Sequence, residues 1–415
     1  MGLDTPPALA VDTLLDDPKT RIIVCCGSGG VGKTTTAAAL GVRAAERGRK
    51  VVVLTIDPAR RLAQSMGIAS LDNTPRKVAG VSGDGGELHA MMLDMKRTFD
   101  EIVEAHADGE RARAILANPF YQSLSAGFAG TQEYMAMEKL GQLRARDDWD
   151  LIVVDTPPSR SALDFLDAPK RLGSFLDGKF IRVLMAPAKV GGRAGMKFLN
   201  VGMSLMTGTL SKLMGASLLK DVQTFVAAMD TMFGGFRTRA DATFRLLQAP
   251  GTAFLVVAAP EPDALREAAY FVERLAAERM PLAGLVLNRV HDSAAEQLSA
   301  ERALAAAENL EEAGIVDQES GKAGLRDSDA DTGTPETGSP SAVDADVDEI
   351  TAGLLRLHAE RMQVIAREQR TRDRFTSLHP EVAVAEVAAL PGDVHDLAGL
   401  RAIGERLATG VPAGA

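Results

Sequence analysis

Short, continuous runs of apolar residues recur along the chain and indicate buried β-strands. Parallel strands that are covered on both faces are apolar at successive positions, without strict alternation. Between these runs, apolar residues repeat every three or four positions, as in amphipathic helices. The pattern therefore predicts an α/β fold with a mostly parallel sheet flanked by helices. The strands predicted in this way are residues 21–26, 51–56, 88–93, 151–154, 253–258 and 282–287, and residues 382–389 are predicted as a last strand from their alternating pattern.

The helical segments lie between the predicted strands. Residues 96–146 form a long helical region that is interrupted at Pro119 and at the glycines of residues 127–130. Another helix begins near Pro262, because proline is favoured in the first helical turn. The remaining predicted helices are residues 295–314, 350–376 and 397–407.

Two apolar stripes at helical spacing cross residues 199–213 and 218–232, within a predicted helical insertion at residues 170–248. Seven of the chain's 16 methionines lie between Met185 and Met232. Methionine is flexible and polarisable, so this composition suits a groove that repacks around varied apolar ligands. Ordinary core packing of the insertion is the alternative.

Residues 317–349 are rich in Asp, Ser, Gly, Thr and Pro and almost lack large apolar side chains. This composition predicts a disordered acidic linker at the surface. We therefore expect one domain over residues 1–415, with the insertion and the linker as excursions from it.

A glycine-rich loop between the first strand and the next helix carries the clearest chemistry. Its pattern is G-x-x-x-x-G-K-[ST], in which consecutive backbone N–H groups curl around a phosphate and the helix N-terminus faces the same anion. Lys33 is expected at the β- and γ-phosphates, Thr34 at Mg²⁺ and Thr35 near the α-phosphate. The loop residues are Gly27, Ser28, Gly29, Gly30, Val31, Gly32, Lys33 and Thr34.

Two aspartates follow predicted strands directly. Asp57 follows residues 51–56 and Asp155 follows residues 151–154. Ligands gather at the carboxyl ends of parallel strands, so both carboxylates are expected near the bound phosphates. Asp155 is predicted to act on Mg²⁺, directly or through water. The alternative for each is a helix N-cap, a role that is compatible with a place in the site.

Glu261 and Asn288 follow the next two strands. A carboxylate can accept from ribose hydroxyls, and an amide can pair with a purine edge through its donor and acceptor. We assign both to the nucleoside, together with Pro391 near the start of the closing helix.

The net charge of −10 and the absence of a basic block argue against a nucleic-acid partner. The two cysteines, Cys25 and Cys26, are neighbours on one strand and point to opposite faces, so a structural disulfide is not expected. The acidic, polar start of the chain does not resemble a signal peptide. No run of about 18 apolar residues is present. We expect a cytoplasmic location.

These motifs together resemble the anion-transporting ATPase family, which includes the catalytic subunit of the arsenite pump and the ATPase that targets tail-anchored membrane proteins. The resemblance covers nearly the whole chain. It implies a P-loop NTPase fold, ATP and Mg²⁺ as cofactors, and a dimer. The resemblance also assigns residues 57–59 to switch I, in which Asp57 orients the attacking water, and residues 155–158 to switch II. The methionine-rich insertion lies where the targeting ATPase builds its groove.

Three departures from the family pattern stand out. Family members usually carry a lysine after the first loop glycine, which reaches the partner's phosphates across the dimer interface, and this chain has Ser28. No cysteine pair precedes the last strand, so zinc is not expected. Cys25 and Cys26 do not supply the clustered thiols that arsenite requires.

The expected function is an ATP-hydrolysing dimeric switch that couples nucleotide state to an apolar groove for an apolar or membrane-protein client. Because of Ser28, a heterodimer with a paralogue that keeps the lysine is possible, and Arg60 or Arg61 is the alternative source of positive charge. Two other readings remain open: a non-hydrolysing, nucleotide-binding regulatory subunit, and a metabolic P-loop kinase or ligase.

Overall fold

The computed structural model describes residues 7–56, 61–81, 83, 85–125, 131–157, 235, 238–320 and 342–409. These residues form a single eight-stranded sheet. In chain order the strands are β1 Ile22–Cys26, β2 Lys50–Thr55, β3 Arg76–Lys77, β4 Glu87–Met92, β5 Leu151–Asp155, β6 Thr252–Ala258, β7 Leu282–Val290 and β8 Val384–Ala388.

The sheet has the order β3-β4-β2-β5-β1-β6-β7-β8. All neighbouring strands pair in parallel except β3, which is antiparallel to β4. The prediction of a mostly parallel α/β sheet is confirmed. All seven predicted strands are present, and β3 is the additional one, since two exposed residues are too short to show a pattern.

Helices flank both faces of this sheet. In chain order they are α1 Val11–Asp16, α2 Lys33–Glu46, α3 Arg61–Ser65, α4 Met95–His106, α5 Gly109–Leu116, α6 Pro119–Ser125, α7 Thr131–Arg146, α8 at residues 238–248, α9 Pro262–Ala277, α10 Ala300–Ser320, α11 Ala342–Leu378 and α12 Leu397–Thr409.

The sequence did not predict helix α1, because the residues around it are acidic and polar. Its buried residues, Val11 and Leu15, are four positions apart and face the sheet side of the protein. The buried guanidinium of Arg49, just before β2, donates to Leu15 O at 2.8 Å and to Thr20 O at 2.6 Å. Long-range contacts, which a local pattern does not show, therefore hold this short helix.

Two hydrophobic cores lie on the two faces of the sheet. In β1, Ile22, Val24 and Cys26 belong to one core, whereas Ile23 and Cys25 belong to the other. The prediction that the two cysteines point to opposite faces is confirmed. Burial raises the pKa of both thiols, that of Cys26 to about 12, so both are protonated at neutral pH.

The two helices on either side of the predicted linker extend further into it than predicted. Helix α10 ends at Ser320 and α11 begins at Ala342, so both ends of the segment 317–349 are helical. The two helices pack against each other. Residues 321–341 and most of the predicted insertion 170–248 lie outside the described residues.

Strand β1 lies between β5 and β6, and β2 lies on the far side of β5. The chain therefore moves to one side of β1 first and to its other side later, which opens a crevice at the carboxyl end of β1. The glycine-rich loop starts at this point. No helix within the described ranges is both long enough and apolar enough to span a membrane.

Candidate functional site

The loop between β1 and α2 lies close against the neighbouring strand. A Cβ atom on Gly27 would be 2.0 Å from the carbonyl oxygen of Val257 in β6, so this position has no room for a side chain. Gly32, the residue before α2, has a φ of +94°, in the left-handed region that glycine adopts without strain. These two glycines let the chain turn sharply from β1 into α2.

Lys33 is the first residue of α2 and is buried, with 6% of its surface exposed. Its Nζ donates to the carbonyl oxygen of Ser28 at 2.7 Å, so the side chain curls back over the loop. The first N–H groups of a helix have no partner within the helix and carry its positive dipole end. The ammonium group and the helix terminus therefore converge on one place, which favours an anion such as a phosphate.

Asp155 ends β5 and is fully buried. Its Oδ2 accepts a hydrogen bond from Thr34 Oγ1 at 2.7 Å and one from Thr55 Oγ1 at 2.9 Å. The structure thus brings together Thr34 and Asp155, the two residues predicted to act on Mg²⁺.

The oxygen atoms of Thr34 and Asp155 fit the preference of Mg²⁺ for hard ligands. Within the described ranges, no three or more His, Cys, Asp or Glu side chains lie together as a metal cluster. An ion at Thr34 would therefore complete its coordination with phosphate oxygens and water, as Mg²⁺ commonly does at nucleotide sites.

Asn288 lies near the end of β7 and contacts the glycine-rich loop from the side opposite Asp155. Its Nδ2 donates to Val31 O at 2.8 Å, and a Cβ atom on Gly32 would be 2.2 Å from the same Nδ2. One N–H and the carbonyl oxygen of the amide stay available for a purine edge. The residue therefore supports the phosphate loop, a role that the sequence did not suggest, and can still contact a base.

An open cleft of about 910 Å³ lies beside the loop. Its size is in the range of pockets for small molecules and cofactors. Several predicted site residues line it together, namely Gly32, Thr34, Thr35, Asn288 and Pro391.

The cleft also contains Arg289, which sequence analysis missed. Asn288 pairs with Val387 and Val290 pairs with Ala388, so Arg289 is an extra residue, a β-bulge, in β7. Its φ of +63° is unusual for a residue with a side chain. The bulge turns Arg289 to the cleft, whereas regular alternation would place it on the opposite face of the sheet from Asn288. A bulge has no reliable sequence signal.

Glu261 is a predicted site residue that does not line the cleft. Glu261 precedes α9 with an exposed side chain, makes no capping hydrogen bond and is not among the residues that line the cleft. Asp57 lies outside the described residues. The residue before it, Ile56, is held by Gln132 of α7, whose Nε2 donates to Ile56 O at 2.9 Å.

A comparison with known families agrees with this geometry. The family model described as anion-transporting ATPase matches residues 20–317, well over half of the chain. The chain belongs to the anion-transporting ATPase family. The matched range includes the phosphate loop, Asp155 and Asn288, whereas the part of the cleft formed by Pro391 and its neighbours lies beyond it.

Several curated proteins are similar to this anion-transporting ATPase. The protein named ATPase GET3 from Malassezia globosa is 32% identical over 40% of the chain and 47% of its own length. ATPase GET3 from Podospora anserina is 26% identical over 68% of the chain and 76% of its own length. ATPase BagA from Mycobacterium tuberculosis is 29% identical over 38% of the chain and 48% of its own length. The chain thus spans about half the length of the first and third relatives.

Proposed function

We propose that this protein is a Mg²⁺-dependent ATP hydrolase that acts as a dimeric switch. The observation that carries the proposal is the hydrogen bond of 2.7 Å from Thr34 Oγ1 to Asp155 Oδ2. This contact lies beside the glycine-rich loop, where Lys33 and the start of α2 favour an anion. A threonine hydroxyl and an acidic residue at this place are the parts with which P-loop enzymes hold Mg²⁺ beside the β- and γ-phosphates.

Each residue of the site has a distinct role in this proposal. Lys33 leaves Ser28 O and moves to the β- and γ-phosphates, where it offsets charge that develops in the transition state. Thr34 and Asp155 would hold Mg²⁺ and its water shell, and the ion would offset phosphate charge there. Asp57 positions the attacking water, and Asn288, Arg289 and Pro391 surround the base. Glu261 does not line the cleft, so we assign it no contact with the nucleotide.

The proposed switch connects the cleft to helix α11 through His291, which lines the cleft directly after β7. Its Nδ1 lies 2.6 Å from Glu368 Oε1, and its backbone N–H donates to Glu368 Oε2 at 2.9 Å. Arg361 Nε donates to Asp292 O at 2.7 Å. A movement of this segment with the nucleotide would therefore be passed directly to α11.

Helix α11 carries an apolar surface beyond this connection. Residues 347–357 precede Arg361 by up to 14 positions, which corresponds to about 21 Å along a helix. Four large apolar side chains at spacings of three and four are exposed there, which we call the α11 stripe: Val347, Ile350, Leu354 and Leu357. We propose that this stripe, with the methionine-rich insertion, binds an apolar client.

Substitutions at Asp57 and Lys33 test the proposal. Asp57→Asn should keep ATP binding and slow hydrolysis by about 10² to 10⁴, because the amide no longer offers an anionic acceptor to the attacking water. Lys33→Ala should weaken ATP binding itself. Steady-state phosphate release and nucleotide titration measure the two effects separately.

The matched control is Asp263→Asn, because Asp263 is exposed and pairs with Arg266 outside the site. This control should turn over ATP like the parent protein. Parental turnover by Asp57→Asn would refute the role of Asp57. Unchanged nucleotide affinity in Lys33→Ala would refute the phosphate site.

A further inference from the structure

A second groove lies away from the nucleotide cleft, between α9 and the last turns of α11. Its volume is about 450 Å³. The two helices cover the same face of the sheet, because Phe271 of α9 and Phe375 of α11 belong to the same core. Nine residues line the groove: Pro262, Leu265, Arg266, Ala269, Arg370, Thr371, Arg374, Phe375 and Leu378.

The floor of the groove is apolar. Leu265 and Phe375 are buried beneath it, and Ala269 leaves space between the two helices. Leu378, which lines the groove, is 66% exposed. Large apolar side chains at such exposure, next to a concave apolar floor, are typical of a binding surface.

The rim of the groove is positively charged. Of the nine described residues that line it, three are arginines and none is acidic, although the chain as a whole has a net charge of −10. Among the described residues, Arg370 donates within its own helix alone, from Nε to Ala366 O at 3.1 Å. Within the described ranges, Arg374 makes no ion pair or hydrogen bond. Arg266 pairs with Asp263, but both side chains are highly exposed, so this pair is weak.

We infer that this groove binds an acidic amphipathic helix of a partner protein. Leu265 and Ala269 are one turn apart on α9, as are Arg370 and Arg374 on α11, so apolar and charged contacts repeat along the groove. A helix with apolar residues on one face would fill the floor, and carboxylates on both of its edges would meet the arginines of the two walls.

The distribution of charge favours a helix over a lipid. A fatty acid or a phospholipid carries its charge at one end, whereas Arg266, Arg370 and Arg374 are spread over both walls. A flat membrane surface also does not reach the floor of a concave groove. The groove contains none of the residues of the phosphate loop, so this inference is independent of the proposed ATP hydrolysis.

Fluorescence anisotropy with two labelled model peptides tests the inference on the full chain. One peptide is a helix with Leu at every third or fourth position and Glu at the flanking positions, and the other has Lys in place of every Glu. We expect saturable binding of the Glu peptide in the range of about 1 to 100 μM, which weakens with added salt. The Lys peptide should bind at least tenfold more weakly.

Three variants locate the binding. Arg370→Glu with Arg374→Glu should weaken binding of the Glu peptide at least tenfold, and Ala269→Trp should do so by filling the groove without a change of charge. Arg245→Glu with Arg302→Glu is the matched control, since both arginines are exposed and lie outside the groove. This control should bind like the parent. Circular dichroism confirms that every variant is folded.

Three kinds of result would overturn the inference. The first is the absence of saturable binding up to about 1 mM Glu peptide. The second is a loss of specificity, seen either as equal binding of the Lys peptide or as an equal loss of binding in the control. The third is that the groove variants lose binding to vesicles of phosphatidylserine in phosphatidylcholine but keep the Glu peptide, which would assign the groove to a lipid.

Discussion

Single residues in the site connect distant parts of the chain. Asn288 supports the glycine-rich loop through its hydrogen bond to Val31 O, and we propose that its remaining donor and acceptor face a base. Asp155 binds the hydroxyls of Thr34 and Thr55 from the end of β5. The sequence predicted both residues as ligands, because each follows a strand. Their contacts with other protein groups depend on which strands are neighbours in the sheet.

His89 of β4 is a residue whose environment changes its chemistry. Its ring packs edge-on against Trp149, with 4.8 Å between the ring centroids. Its Nδ1 is buried and makes no hydrogen bond within the described ranges. Burial lowers the pKa of His89 below its ordinary value of 6.5, and the nearby Lys77 and Lys50 act in the same direction while Glu87 opposes them.

Stability should therefore depend on His89 as the pH falls. Below pH 6.5 the unfolded chain takes up a proton that the folded chain does not, so the free energy of unfolding decreases between 6.5 and the lower folded pKa. Urea denaturation between about pH 7.5 and pH 5.5 measures this slope. His89→Phe keeps the ring packing and should flatten the slope. An unchanged slope in His89→Phe would exclude His89 as its source.

At the scale of elements, α11 has two different faces. Ala352 and Ala359 are buried on one face, while the α11 stripe is exposed on another. Toward the sheet, Arg372 reaches the buried carboxylate of Glu386 in β8 at 2.8 Å. The helix is thus anchored firmly at the sheet, and its N-terminal half carries the surface that we propose for a client.

The α11 stripe allows a direct comparison of surface and core. Ile350→Ser with Leu354→Ser should change the free energy of unfolding by less than about 1 kcal/mol, because both side chains are exposed. The same variant should bind an apolar dye or an apolar peptide more weakly. Thermal unfolding and dye fluorescence measure the two effects.

The matched control is Ala352→Leu on the buried face, which should destabilise by about 1 to 3 kcal/mol through overpacking. A loss of about 2 to 5 kcal/mol in the serine variant would instead identify the stripe as part of a core.

At the scale of the whole molecule, Ser28 bears on how two copies would work together. The carbonyl oxygen of Ser28 accepts a hydrogen bond from Lys33 Nζ. The hydroxyl oxygen of Ser28 is buried and makes no hydrogen bond with any described residue. In the dimer that we propose, a serine here leaves out the positive charge that a lysine would bring to the partner's γ-phosphate. A hydroxyl does not replace that electrostatic contribution.

A homodimer of this chain should therefore hydrolyse ATP slowly, and Ser28→Lys should accelerate it. Steady-state turnover of both proteins is the measurement. A heterodimer with a paralogue that carries the lysine should also be faster than either chain alone. Fast turnover by the parent chain, with no gain from Ser28→Lys, would contradict the heterodimer. Arg60 and Arg61 would then be the next residues to substitute, as the alternative source of positive charge. No phosphate release in any of these arrangements would favour the non-hydrolysing regulatory subunit.

The sequence by itself determined the features that depend on local pattern. Apolar runs marked most of the strands, because buried parallel strands are apolar on both faces, and an alternating pattern marked the last one. The phosphate loop was evident, because its glycines and Lys33 have to be close in sequence to surround one phosphate. The same motifs pointed to the anion-transporting ATPase family.

Only the tertiary structure decided the features that join distant segments. The β-bulge that turns Arg289 to the cleft depends on how β7 pairs with β8, and the contact of Asn288 with Val31 joins residues 257 positions apart. Helix α1 is held by long-range contacts, which override a weak local preference. The Arg-rimmed groove exists only because α9 and α11 lie side by side on one face of the sheet.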